Sequence, residues 1–97
     1  MELSPDKAYY ITVGGDFKEI IPRNGKEFHL AEVQKLVEGL IEIVYLNDKQ
    51  IMVINDEGKY TKKYNVYASA IADIHHVLAV GDYICGNVVI CPSGMVP

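Results

Sequence analysis

The sequence predicts an α+β domain, a mainly antiparallel sheet of about five strands with two helices packed against it. Two observations carry this. Short runs rich in β-branched and aromatic residues are bounded by Gly, Asn and Asp turns. Between them lie two segments whose apolar residues recur at helical spacing. The stretch from Leu36 to Lys59 shows the grammar most plainly: a helix end, a glycine stop, a strand, a turn, a second strand and an acidic turn closed by Gly58.

In chain order, Ala8 to Val13 (AYYITV) reads as a strand, Gly14-Gly15-Asp16 as a turn, and Phe17 to Ile21 as the returning strand of a hairpin. Pro22 and Asn24-Gly25 end it. Leu30, Val33, Leu36, Val37 and Leu40 then fall on one helical face, with Glu32, Lys35 and Glu38 pointing away. Phe28 and Val33 have the spacing of a hydrophobic staple if His29 is the N-cap; Glu32 sits where a carboxylate favours the helix start, and Gly39 is the expected stop. Leu40 to Leu46 is nearly continuous apolar sequence and reads as an interior strand, paired antiparallel through Asn47-Asp48-Lys49 with Gln50 to Asn55. Asp56-Glu57-Gly58 closes that strand, its glycine free to take positive φ. Lys59 to Tyr64 is a polar, exposed segment. Asn65 is the predicted N-cap of a second helix over Val66 to Ile74, with Val66, Ala70, Ile74 and Val77 at helical spacing. Gly81-Asp82 resets the chain, Asn87 to Cys91 is a last strand, and Pro92 onward is a tail. The expected core is Tyr9, Ile11, Val13, Ile20, Leu30, Val33, Leu36, Val37, Ile41, Ile43, Ile51, Val53, Ala70, Ile74, Val88 and Ile90.

Ninety-seven residues imply one domain, 1–97, with loosely packed or disordered ends near 1–6 and 92–97. A hydrophobic fraction of 49% in so short a chain favours burial between subunits, so a homo-oligomer is expected. The net charge of -4 argues against sequence-independent nucleic-acid binding, which needs clustered Lys and Arg. MELSPDK lacks the features of a signal peptide, no apolar run reaches the roughly 20 residues of a membrane span, and a cytoplasmic location is expected. Cys85 and Cys91, if on one extended segment, stand about 20 Å apart at ~3.3 Å per residue, beyond disulfide reach, and read as buried thiols.

The pattern of Gly39-Leu40-Ile41-Glu42, Asn55-Asp56-Glu57-Gly58, Asn65 with Ala68, and Asp82-Tyr83-Ile84-Cys85-Gly86 resembles a small uncharacterised family encoded largely by bacteriophages, plasmids and related mobile elements. The resemblance spans roughly the last two-thirds of the chain. It implies an accessory protein of such an element, working in the host cytosol, and brings no known activity with it.

Catalytic or metal chemistry finds little support. Asn55-Asp56-Glu57-Gly58 with Asp48 could hold a cation, but the periodicity of a calcium loop is absent and a solvated turn explains it. His75 and His76 are adjacent, so on a helix they point about 100° apart and cannot chelate one ion; His76 is expected to be partly buried. Ser69 lies in an apolar helix, and Gly14-Gly15 lacks the rest of a phosphate loop. No metal, cofactor or catalytic residue is expected, and a small hydrolase or metal enzyme stands as the second alternative. Asp82 and Asn87 either line a ligand site or serve the backbone as caps. Glu42, alone in an apolar strand, must be exposed, paired or at a subunit interface.

Lys59-Tyr60-Thr61-Lys62-Lys63-Tyr64 is the best candidate site. Its lysines offer phosphate attraction and its tyrosines offer stacking faces, in an otherwise acidic chain; the ordinary explanation is a charged, solvated loop. The expected ligand contacts are Lys59, Lys62 and Lys63 to phosphate and Tyr60, Tyr64 or Tyr67 to a base, with Asn65 adding hydrogen bonds. The leading expectation is a non-enzymatic protein that sequesters a small anionic ligand, such as a nucleotide signal of host immunity. The alternative is an interaction protein that binds a host macromolecule through a tyrosine-rich surface.

Overall fold

The computed structural model describes residues 3–96. The strands are β1 (Ala8–Ile11), β2 (Phe17–Ile20), β3 (Ile41–Tyr45), β4 (Gln50–Asn55) and β5 (Val88–Pro92). The helices are α1 (Leu30–Val37), the single turn α2 (Gly58–Thr61) and α3 (Val66–Ile74), with a 3-10 turn at Ser93–Met95. The strands form one sheet in the order β2-β1-β5-β4-β3, antiparallel throughout. The predicted α+β class, the β1–β2 hairpin and the β3–β4 pairing are all present. No helix among the described residues is long and apolar enough to cross a membrane.

β5 is the centre of the sheet, and its Val88, Val89, Ile90 and Cys91 are all buried. Alternation explains why: Val88 and Ile90 enter one core cluster with Tyr9, Ile11 and Met52, while Val89 and Cys91 enter another with Ile51 and Val53. α1 covers the second face with Val33 and Val37, and Phe28 joins the same cluster as Val33, so the staple forms. The Glu32 carboxylate accepts the N–H groups of His29 and Arg23, each at 2.9 Å. Those two bonds, His29 first, hold its pKa below the ordinary glutamate value.

α3 covers the first face and corrects the sequence reading. Its buried residues are Ala68, Ser69 and Ala72, whereas Val66, Ala70 and Ile74 face solvent. That face of the sheet already carries Tyr9, Ile11 and Met52, and Ile84 packs into the same cluster, so small side chains sit directly beneath the helix and Ile71 is only half-buried at its flank. Ser69 Oγ accepts the Ile84 N–H at 2.8 Å and donates to the Ile84 carbonyl at 3.2 Å, tying the helix to the segment before β5.

Further expectations change. β3 lies at the edge of the sheet and not in its interior, since no strand among the described residues pairs its outer side. Leu30 and Leu40 are exposed, the first opening α1 and the second following its end. The left-handed residue that ends α1 is Glu38 (φ 65), one position before the expected glycine. His76 is exposed and itself carries a positive φ. Pro92 pairs with Gln50, the Ser93 N–H donates to the Lys49 carbonyl, and Met95 O accepts the Phe28 N–H at 2.7 Å, so residues 92–95 are bound into the fold and not a loose tail. Near the other end, Leu3 packs on the α3-side core and the Ser4 N–H donates to the Tyr9 hydroxyl. Met1, Glu2 and Pro97 lie outside the described residues.

Candidate functional site

The lysine-tyrosine segment is more ordered than a solvated loop. It begins with α2, whose Gly58 is buried against the backbone of Cys85: a Cβ there would meet the Cys85 carbonyl oxygen at 2.8 Å. Glycine is required by this close approach and not by positive φ, which Gly58 does not have. Residues 63–65 then run antiparallel to 84–86. The Gly86 N–H donates to the Lys63 carbonyl at 2.8 Å, the Asn65 N–H to the Ile84 carbonyl at 2.9 Å, and Tyr64 bridges Cys85.

This ribbon sends the seven predicted residues in different directions. Asn65 is fully buried and every polar atom of its side chain is committed. Its Oδ1 accepts the Ala68 N–H at 2.9 Å, capping α3 as predicted, while Nδ2 donates to the carbonyls of Gly86 (2.8 Å) and Ile11 (3.3 Å). It therefore serves the fold, with no donor or acceptor left for a ligand. Tyr67 turns to the opposite side, edge-on to Phe17 with ring centres 5.8 Å apart and close against Gly15. There it lines an apolar cavity of about 440 Å³ with Leu3, Ala70 and Ile71. Lys62 pairs with Glu38 at 3.1 Å. Lys63 is exposed and makes no ion pair among the described residues.

Lys59, Tyr60 and Tyr64 remain together, and their centre is Tyr83, which the sequence reading named only within a family motif and not as a ligand contact. Lys59 Nζ lies 5.2 Å from the Tyr83 ring centre and bonds to the Asp82 carboxylate. That bond is the main reason the Lys59 pKa is raised; it also lowers that of Asp82, helped by the Tyr83 N–H donating to the same carboxylate at 2.8 Å. Tyr64 meets Tyr83 edge-to-face at 5.9 Å. Beside Tyr83 is a cleft of about 510 Å³ lined by Val44, Tyr45, Leu78, Lys59, Glu42 and Asp82 among others. A smaller recess of about 200 Å³ shares Glu42, Lys59 and Tyr83 with it and adds Tyr60. Tyr45 and Tyr83 were legible only as scattered aromatics, because 38 positions separate them in the chain (83 − 45).

The electrostatics of this cleft are mixed: one ammonium, Lys59, stands against the carboxylates of Asp82 and Glu42. Burial pushes the Cys91 thiol up to about 12 and raises that of Cys85, so neither forms a thiolate readily. No group of three or more His, Cys, Asp or Glu side chains with metal-ligand spacing occurs among the described residues. Asp48 and Asp56 lie at opposite ends of β4, and Asn55 spends its amide on the carbonyls of Val37 and Glu38. Asn87 likewise bonds the Val13 N–H and the Tyr10 hydroxyl.

Residues 6–94 match the family described as Domain of unknown function (DUF3846). The chain belongs to this family. Neither curated proteins nor solved structures match it. The matched residues run from before β1 to past the end of β5, so the tyrosine cleft and the whole sheet fall within the family's domain.

Proposed function

We propose that this DUF3846 protein is a non-enzymatic accessory protein of a phage or other mobile element that binds a host macromolecule through the face centred on Tyr83. One observation supports this most: Tyr45, Tyr60, Tyr64 and Tyr83 are all substantially exposed, and each of the other three either touches Tyr83 or shares a recess with it. Tyrosines at such density suit an interface because each buries a large rigid ring while keeping a hydroxyl for a hydrogen bond. The Lys59–Asp82 pair and Glu42 at the rim add polar contacts of both signs, which a protein surface can match.

Sequestration of an anionic small ligand, such as a nucleotide signal of host immunity, is the second reading. Lys59 above the Tyr83 ring and Lys63, exposed and without an ion pair among the described residues, favour it; the neutralisation of Lys59 by Asp82 and of Lys62 by Glu38 counts against it. A tagged chain and its Tyr60→Ala/Tyr83→Ala variant, both confirmed folded, would be used to capture partners from host lysate. A partner held by the parent and lost with the variant supports the interface. Equal capture by both, or none, counts against it. Native mass spectrometry with a mixture of cyclic and linear nucleotides decides the second reading: a retained adduct of defined mass, lost in Lys59→Ala/Lys63→Ala, would put it first.

A further inference from the structure

The two edges of the sheet are finished differently. β2 is four residues long, presents Lys18 and Glu19 to solvent and is followed by Pro22, the features that discourage edge pairing. β3 has five residues, IEIVY, with one charge. Its hydrogen-bond phase is fixed by its ends: Leu46 N–H donates to Gln50 O, and Asp56 N–H donates to Leu40 O. In an antiparallel ladder the residues facing the partner alternate, so Leu40, Glu42, Val44 and Leu46 bond to β4. The N–H and C=O groups of Ile41, Ile43 and Tyr45 point outward, and β3 has no second strand partner among the described residues. Tyr45 is 69% exposed and both Ile43 and Tyr45 border the open cleft, so the edge is accessible.

We infer that β3 pairs with β3 of a second copy of this chain, antiparallel about a two-fold axis at Ile43, joining two sheets into one of ten strands. The edge is self-complementary in that register. The outward residues Ile41, Ile43 and Tyr45 are symmetric about Ile43, so Ile43 faces its own counterpart and Ile41 faces Tyr45 of the second copy. All the free backbone groups then bond to one another. Tyr45 against Ile41 is an aromatic–β-branched cross-strand pair, and Ile43 against itself a β-branched one, both favourable combinations. Glu42 decides against the neighbouring register centred one residue earlier, which would set the two Glu42 carboxylates directly opposite each other; centred on Ile43, each Glu42 faces Val44. The pairing goes beyond the proposed tyrosine face but shares Tyr45 with its margin, since Ile43 and Tyr45 border the same cleft.

Sedimentation velocity of the full chain from low to high micromolar concentration tests the pairing. The expected result is a concentration-dependent shift from the 10.8 kDa monomer to the dimer. A monomer throughout overturns the inference, leaving the edge for some other extended segment. Tyr45→Pro removes an outward N–H and an exposed ring without touching the β4 ladder, and should weaken the dimer roughly tenfold or more through two lost hydrogen bonds and two lost side-chain pairs. Unchanged dimerisation by a folded Tyr45→Pro overturns it too. Register is read separately by oxidising Ile43→Cys, whose two copies would stand about 5.5 Å apart between Cα atoms, within disulfide range. Efficient cross-linking of Ile43→Cys but not of Glu42→Cys is the expected pattern, and the reverse overturns the register.

Discussion

Helix α1 fills its face of the sheet with Val33 and Val37, both fully buried, and its end is tied down by the Tyr10 hydroxyl and the Asn55 amide, which donate to the carbonyls of Leu36, Val37 and Glu38. Helix α3 buries two alanines and a serine, and is held by Asn65 and Ser69 bonding to the backbone of two distant segments, Ile11 and residues 84–86. Both helices carry hydrogen bonds to distant segments; what differs is the contact surface, valines under α1 and mainly small side chains under α3. The difference shows that an apolar stripe marks a buried face only where the opposing surface leaves room for it.

The largest expected effect comes from breaking the polar attachment. Asn65→Ala leaves the Ala68 N–H and the Gly86 and Ile11 carbonyls without their buried partner, and should cost about 3 kcal/mol or more in urea unfolding. A loss below that of an ordinary surface cap would mean α3 is held by packing after all. On the other face, Val37→Ala should cost about 2 kcal/mol through lost methyl groups and the cavity they leave. Ser69→Ala strips the Ile84 N–H of its partner and should cost about 1–2 kcal/mol, measurable in the same unfolding series.

Smaller again is the acid limb of α1. The pKa of Glu32 is lowered in the folded chain, so its contribution is present above the unfolded glutamate pKa of roughly 4 and is lost as pH falls through the lower folded value. Glu32→Gln should therefore be less stable than the parent at neutral pH, and the difference should shrink below about pH 4. A gap that stays constant with pH would remove the ionised carboxylate from the account. The smallest effect sharpens the comparison most directly: Ile74→Ser, on the exposed stripe of α3, should shift the stability of the monomer by no more than about 0.5 kcal/mol. A core-sized loss would restore the face that the periodicity indicates.

These differences explain what could be read in the sequence. The α1 staple was legible because Phe28 and Val33 are local to one another and the helix meets a surface with room for valines. The cap at Asn65 was legible too, being a matter of three residues. Its burial was not, because the carbonyls it serves, Ile11 and Gly86, lie 54 and 21 positions away. β3 read as interior since edge and central strands share composition when an edge is left unprotected. At the candidate site the charges were visible but not their partners: Glu38 and Asp82 stand 24 and 23 positions from Lys62 and Lys59. Tyr67 left the group because the chain enters α3 between it and Tyr64, turning successive side chains toward opposite sides.

The position of β5 sets the order in which this protein can come into being. It is the last of the strands to be synthesised and the one that joins the β1–β2 hairpin to the β3–β4 hairpin. Until Val88–Pro92 clears the ribosome, the emerging chain holds two hairpins with nothing between them, each too small to be stable alone. Folding must then wait for contacts between residues far apart in the chain, a slow kind of closure. Such a chain acquires its structure as a single late event, and a nascent chain stalled at Gly86 should show no cooperative unfolding under force.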